Sequence, residues 1–230
     1  MTRSAGLFVV GTDTDVGKTA VAVAIVRDLV AGGARVGVYK PVASGVGGTG
    51  GDADRLWEAA GRPLSQDAVC PQAFAAAIAP ADAARAEGCV VDESLLRTGI
   101  EPWRRASEFV VVEGAGGLFS PLAPRTLGVE LARDFDLPIV LVDAARLGLV
   151  GRTLMAVRAA RAEGLRVAAV VVSQTAPPRG DAVDPASDGA ILRAGISMLR
   201  ERLSDLQVGV LLHGARRVEP HPDWRALAGG

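Results

Sequence analysis

The stretch GTDTDVGKT at residues 11–19 decides the fold of this chain. It follows the short apolar run Leu7–Val10 and opens the helix pattern Lys18–Val30. A tight loop between a strand and a helix presents backbone N–H groups and the positive end of the helix, and together these bind phosphate. In such a loop Lys18 reaches the β- and γ-phosphates of a nucleotide, while the hydroxyl of Thr19 binds Mg²⁺. The stretch therefore predicts a nucleotide-binding loop.

The spacing of this loop differs from the common pattern GxxxxGK[ST]. Five residues rather than four separate Gly11 from Gly17, and Thr12 occupies a position where glycine is usual. A chance Gly-Lys-Thr at the start of a helix is the alternative interpretation. The strand before the loop and the helix after it favour the nucleotide site.

The pattern of the whole chain is an alternation of short apolar runs and longer Ala-, Leu- and Arg-rich stretches. Nearly continuous apolar runs predict strands covered on both faces, and they are Leu7–Val10, Arg35–Tyr39, Phe109–Val112, Ile139–Val142, Val167–Val172 and Val208–Leu212. The helix patterns are Lys18–Val30, Asp52–Ala60, Pro80–Glu87, Asp92–Arg105, Gly128–Asp134, Gly148–Glu163 and Ala186–Leu203. This alternation predicts a single α/β domain over residues 1–230, of the P-loop NTPase type, with a mostly parallel sheet flanked by helices on both faces.

Composition narrows the possible partners. The net charge is -1, from 25 basic and 26 acidic residues, which favours neither nucleic acid nor an anionic membrane surface. The apolar runs have the length of strands rather than of membrane spans. Cys70 and Cys89 fit no metal-binding spacing and are expected to be reduced structural thiols. A cytoplasmic enzyme is expected.

Two segments stand apart from the alternation. Ser44–Gly51 is rich in glycine and is expected to close over a bound ligand, while Ala176–Ser187 contains three prolines and is expected to be a loop. Both follow strands, at the edge of the sheet where ligands bind in open α/β folds.

Acidic residues supply candidate magnesium ligands. Glu113 ends the strand pattern Phe109–Val112 and precedes a glycine-rich stretch that permits close approach of a ligand. Mg²⁺ prefers oxygen ligands and needs only one or two carboxylates. The alternative for Glu113 is a loop cap. Asp52 and Asp54 begin a helix, where carboxylates commonly act as N-terminal caps, and the residues alone do not separate the two roles.

Three motifs in order along the chain resemble one enzyme family. GTDTDVGKT (residues 11–19), YKPVASG (residues 39–45) and VEGAGG (residues 112–117) resemble the dethiobiotin synthetases, with weaker similarity from about residue 7 to about residue 175. The resemblance implies a homodimer with its active site near the interface. It also implies that ATP, with Mg²⁺ as cofactor, drives the joining of CO₂ to 7,8-diaminopelargonic acid to give a cyclic urea, ADP and phosphate.

The resemblance also implies roles for individual residues. Lys18 and Lys40 would be catalytic, flanking the γ-phosphate and a carbamate, and Asp15 would pair with Lys18. The metal ligands would be Thr19, Asp52 and Glu113. The nucleotide would contact Asp15, Val16, Gly17, Lys18, Thr19, Ala20, Asp52, Glu113, Gly114, Ala115, Gly116, Ser173, Gln174, Leu212 and His213, and the substrate would contact Thr14, Lys40, Ser44, Gly117, Gly151 and Arg152.

The chain departs from the family pattern at three places. Ser173-Gln174 replaces an Asn-Asp pair that contacts adenine, Leu212 replaces a proline, and Gly151-Arg152 replaces an Asn-His pair at the start of the helix that faces the partner subunit. Because serine offers less to the adenine edge than an amide, a relaxed choice of base is expected. Arg152 either binds the distant carboxylate of the substrate or is solvated.

Two other functions fit parts of the pattern. Another P-loop ligase that forms an acyl phosphate would keep the loop, Glu113 and Mg²⁺ but would need a different acceptor pocket. An ATP-dependent switch of the cell-division type would carry a further lysine early in the loop, where this chain has Thr12 and Asp13.

Overall fold

The computed structural model describes residues 5–47, 50–179 and 187–229. Its strands are β1 (Ala5–Gly11), β2 (Val36–Tyr39), β3 (Ala43–Ser44), β4 (Ala73–Phe74), β5 (Phe109–Gly117), β6 (Pro121–Ala123), β7 (Thr126–Leu127), β8 (Ile139–Ala144), β9 (Val167–Ser173) and β10 (Gln207–Leu211). Its helices are α1 (Lys18–Ala31), α2 (Asp52–Ala59), α3 (Pro80–Ala86), α4 (Glu93–Thr98), α5 (Glu101–Ala106), α6 (Gly128–Phe135), α7 (Leu149–Ala162), α8 (Asp188–Arg202) and α9 (Trp224–Gly229).

The core of the fold is a six-stranded sheet in the order β10-β9-β8-β1-β5-β2. Every neighbouring pair in this sheet is parallel. The six predicted strands are confirmed, and they are buried because helices pack against the sheet. Central side chains such as Leu7, Val111 and Leu141 have no exposed surface. Burial on both faces explains why these strands read as unbroken apolar runs.

The helix predictions hold with one clear error. The single helix expected over Asp92–Arg105 is wrong, because α4 and α5 are separate helices. A proline within a long helix removes one hydrogen bond and collides with the preceding turn, whereas Pro102 lies in the first turn of α5, where it is tolerated. Asp92 caps α4 by accepting hydrogen bonds from the backbone of Ser94 and Leu95.

The remaining helix differences lie in the C-terminal third of the chain. Helix α8 starts at Asp188, capped by the hydroxyl of Ser187, and residue 186 of the expected helix lies outside the described residues. So do residues 48–49 of the expected lid and 180–186 of the expected proline-rich loop. Helix α9 was not predicted; Trp224 anchors it and is 2% exposed.

The topology brings distant parts of the sequence to one edge of the sheet. Strand β1 lies between β5 and β8, with Val9 opposite Glu113 and Val10 opposite Leu141. Because the strands are parallel, the loops that follow β1, β2, β5, β9 and β10 all emerge at the same edge. Within the described ranges no helix is both long and apolar enough to cross a bilayer.

Candidate active site

The loop between β1 and α1 begins helix α1 with a glycine in the left-handed conformation. Gly17 has φ of +90°, and a Cβ at this position would collide with the hydroxyl of Ser173. A glycine is therefore required both by the backbone and by the close packing of β9. The ammonium of Lys18 donates to the backbone carbonyl of Asp13 at 2.8 Å. Asp15 is exposed, and its charge acts to raise the pKa of Lys18, so its expected pairing with Lys18 stays a prediction.

Both lysines of the chain lie in this site. The sequence contains only Lys18 and Lys40, and every other basic side chain apart from the two histidines is an arginine. Lys40 directly follows β2 and donates to Glu113 Oε1 at 2.6 Å and to Asp52 Oδ2 at 2.8 Å. The hydroxyl of Thr19 donates to the same Glu113 oxygen at 2.8 Å. Residues from four separate elements thus form one connected polar network.

The two lysines have opposite electrostatic environments. Burial lowers the pKa of Lys18, and the opposing charge of Glu113 does not cancel that effect. Burial also acts to lower the pKa of Lys40, but the charges of Glu113 and Asp52 and its hydrogen bonds to both outweigh it, so this pKa is raised. Burial of Asp52 is likewise outweighed by the charge of Lys40, which holds the pKa of that carboxyl below its ordinary value. Lys40 is therefore a permanently charged group at neutral pH.

The residues expected to hold Mg²⁺ lie together. Among the described residues, Glu113 Oε2 is a buried oxygen without a hydrogen-bond partner. Buried polar atoms normally have partners, so this oxygen is available to a cation. The donor set of one hydroxyl and two carboxylates, from Thr19, Asp52 and Glu113, suits a hard cation that keeps several waters. No cluster of three or more His, Cys, Asp or Glu side chains suited to a metal occurs in the described part of the chain.

The start of α2 gives different partners to the two aspartates whose roles the residue types alone left open. Asp54 accepts hydrogen bonds from the backbone N–H groups of Gly50 and Gly51 and so caps the helix. Asp52 instead contacts Lys40. One carboxylate therefore caps the helix, and the other contacts Lys40 in the cavity.

A cavity of about 720 Å³ runs across the sheet edge, from the end of β2 to the end of β10. Most of the predicted site residues line it: Thr14, Asp15, Gly17, Lys18, Thr19, Ala20, Lys40, Ser44, Asp52, Glu113, Ala115, Gly116, Ser173, Gln174, Leu212 and His213. Val16, Gly114, Gly117, Gly151 and Arg152 do not line it. Six further residues line the cavity and were not predicted from the sequence: Ala43, Arg55, Thr175, Leu211, Gly214 and Ala215. Of these, only Arg55 carries a charge.

The far end of the cavity is formed by the loops after β9 and β10. Ser173 is 2% exposed and packs beneath Gly17. The side-chain oxygen of Gln174 accepts a hydrogen bond from the backbone N–H of His213 at 3.2 Å, which occupies one of the two acceptor positions of that oxygen. Leu212 is half exposed beside them.

Arg152 lies at the start of α7 and points to an ion pair rather than to free solvent. Its Nε lies 3.2 Å from Asp143 Oδ1, and its other nitrogens donate to the carbonyls of Leu147 and Ala144. Gly151 is exposed, with open space around the position of a Cβ.

The left-handed glycine loop, the buried lysine and the cavity along the carboxyl edge of a parallel sheet define a P-loop nucleotide-binding protein of the α/β class. A family model described as an AAA domain matches residues 5–206. The solved structure of the signal recognition particle receptor FtsY from Elizabethkingia anophelis superposes with a TM-score of 0.52 at 14% identity, over 99% of this chain and 65% of that one. At that identity the likeness concerns the fold alone.

Curated relatives define the family more closely. The ATP-dependent dethiobiotin synthetase BioD of Anaeromyxobacter dehalogenans (strain 2CP-C) is 45% identical over 75% of this chain and 78% of that protein. The protein of the same name from Rhodopirellula baltica is 42% identical over 73% of this chain and 72% of its own length. The chain belongs to the dethiobiotin synthetase family.

Proposed function

We propose that this chain is an ATP-dependent dethiobiotin synthetase, which joins CO₂ to 7,8-diaminopelargonic acid and closes a cyclic urea while ATP becomes ADP and phosphate. The observation that carries the proposal is that one cavity contains both lysines, Glu113 and the loops after β9 and β10. It offers a place for a nucleotide and, at the β2 end, for an acceptor. The names of the curated relatives support the same reaction.

The reaction needs positioned charge more than covalent help from the protein. One amine of the substrate captures CO₂ as a carbamate and loses a proton. A carbamate oxygen attacks the γ-phosphorus, the bond to the bridging oxygen breaks, and ADP leaves. The neighbouring amine then attacks the carbonyl carbon of the carbamic–phosphoric anhydride, phosphate leaves, the attacking nitrogen loses a proton, and the ring closes.

The side chains of the site match these steps. Lys40, held by two carboxylates, keeps its positive charge and would stabilise negative charge that develops on the carbamate and the transferred phosphoryl group. Lys18 and the loop N–H groups would bind the phosphates. Ser44 lines the same end of the cavity as Lys40 and would orient the carbamate by a hydrogen bond.

Magnesium, the dimer and the compartment belong to the same proposal. Thr19, Asp52 and Glu113 would hold Mg²⁺, which when bound neutralises phosphate charge. A homodimer is supported by two exposed apolar side chains, Leu147 just before α7 and Met155 within it. Use of ATP and two unpaired cysteines, Cys70 and Cys89, fit the reducing cytoplasm.

The direct test is phosphate release from ATP in the presence of bicarbonate and Mg²⁺, with and without 7,8-diaminopelargonate. Release that depends on the diamine, with a product of cyclic urea mass, is the expected result. Lys40→Ala should lower turnover by about 10²–10³, with ADP binding retained. Arg35→Gln, which removes only an exposed ion pair with Glu108, is the matched control. Release that does not depend on the diamine would point instead to a switch or to another ligase.

A further inference from the structure

Asp143, at the end of β8, is a buried carboxylate that the proposed reaction does not use. It has no exposed surface. Its oxygens accept hydrogen bonds from Thr12 Oγ1 at 2.7 Å, the backbone N–H of Ala144 at 2.8 Å, Thr153 Oγ1 at 3.0 Å and Arg152 Nε at 3.2 Å. A buried carboxylate is tolerated only when it is paired and hydrogen-bonded, and here both oxygens are satisfied.

The same segment of chain touches the phosphate loop at three points. The backbone N–H of Thr12 donates to the carbonyl of Val142 at 2.9 Å, and its hydroxyl donates to Asp143. Arg146 lies 3.4 Å from the carboxylate of Asp13. The backbone carbonyl of Asp13, the residue after Thr12, accepts a hydrogen bond from the ammonium of Lys18. Asp143 is therefore linked to that ammonium through two consecutive loop residues.

We propose that Asp143 is a positioning residue for nucleotide binding, which acts through Thr12 and Asp13 on the phosphate loop and Lys18. The position of Thr12 in the loop is one where glycine is usual, and glycine has no hydroxyl to offer Asp143. The threonine thus gives the loop an anchor on β8 and α7. A loop held in its binding conformation before the ligand arrives loses less conformational entropy on binding.

The inference rests on the nucleotide site of the proposed function, and ADP affinity tests it without the full reaction. Thr12→Val keeps the shape of the side chain but removes the hydroxyl, and should weaken ADP binding about tenfold, the scale of one hydrogen bond to a charged group. Thr12→Ser restores the hydroxyl and should restore the affinity. Thr153→Val is the matched control, because it removes a hydrogen bond from the same carboxylate on the side away from the loop.

The measurements are calorimetric ADP titration, thermal unfolding without ligand, and the KM values for ATP and the diamine. We expect both valine variants to unfold at a lower temperature, but only Thr12→Val to raise the ADP Kd and the KM for ATP, with the KM for the diamine unchanged. Asp143→Ala removes the acceptor of the Thr12 hydroxyl and should raise the ADP Kd as Thr12→Val does. Equal ADP affinity in wild type and Thr12→Val would overturn the inference, as would equal losses in both valine variants. A wild type that binds ADP without diamine-dependent turnover would refute only the proposed reaction.

Discussion

The two lysines show how the same side chain can be given two chemistries within one site. Lys18 is 8% exposed and Lys40 is 5% exposed, so access to solvent does not distinguish them. Their partners do, because Lys40 contacts two carboxylates whereas Lys18 contacts a neutral carbonyl. The pKa of Lys40 is raised and that of Lys18 is lowered. At a given pH, a larger fraction of Lys18 than of Lys40 is therefore the neutral, nucleophilic amine.

This difference predicts the order of chemical modification. An acetylating reagent at pH 8, used in limiting amount on the folded protein, should modify Lys18 before Lys40, since only a neutral amine is acylated. ADP with Mg²⁺ should protect Lys18. Peptide mass spectrometry resolves the two sites, and the urea-unfolded chain is the control in which both should react equally. Faster labelling of Lys40 in the folded protein would contradict the assigned environments.

The choice of nucleobase is also decided at the residue scale. Ser173 is occupied in packing beneath Gly17, and the oxygen of Gln174 is bound to the His213 backbone. A site that offers few free groups to the base edge discriminates weakly. We therefore expect kcat/KM for ATP, CTP and GTP to agree within about tenfold, measured by phosphate release with the diamine present. A preference for ATP of a hundredfold or more would show that the base is read by groups other than these two.

At the scale of the element, the first turn of helix α2 gives its two aspartates different partners. Asp54 accepts hydrogen bonds from backbone N–H groups at the start of the helix, and this capping stabilises helices. Asp52 has a side chain that is 46% exposed and contacts Lys40 across the cavity. The helix therefore serves as the rigid element that places one carboxylate in the site.

Substituting the two aspartates should separate stability from activity. Asp54→Ala should lower the free energy of unfolding by about 1 kcal/mol, with turnover largely retained. Asp52→Asn should lower turnover strongly and change stability by less than about 1 kcal/mol, because its ion pair is partly solvated. Urea unfolding and turnover are measured on the same preparations. If both variants lost stability and turnover in the same ratio, the assignment of capping to Asp54 and of activity to Asp52 would be incorrect.

At the scale of the whole molecule, the start of α7 presents an apolar face to solvent. Leu147, in the turn before α7, is 82% exposed, Met155 within α7 is 67% exposed, and Gly151 between them is exposed. Large apolar side chains grouped on a surface commonly mark an interface. The face adjoins Arg152 and Asp143, which link it to the phosphate loop.

If this face joins two copies of the chain, charge placed on it should separate them. The double variant Leu147→Glu and Met155→Glu should be monomeric by light scattering at concentrations where the wild type is dimeric, because burying carboxylates without partners is costly. Val90→Glu, at an equally exposed apolar residue elsewhere, should remain dimeric. A wild type with the mass of one chain would exclude the proposed homodimer.

The sequence by itself determined the sheet, the phosphate loop and the family. Local patterns decide these features: apolar runs define buried strands, and a glycine loop between a strand and a helix requires only neighbouring residues. The break between α4 and α5 also has a local signal in Pro102, but the prediction of one helix over Asp92–Arg105 did not include it.

Only the tertiary structure decided the partners of the site residues. Asp52 and Asp54 are two positions apart and equally suited to capping. The family resemblance favoured Asp52, but only the tertiary structure shows its contact with Lys40, which follows β2. The contact of Lys18 with Asp13 and the anchoring of Thr12 by Asp143, 131 positions away, depend on parallel strands meeting at one edge. Such contacts are set by packing between elements, which spacing along the chain does not encode.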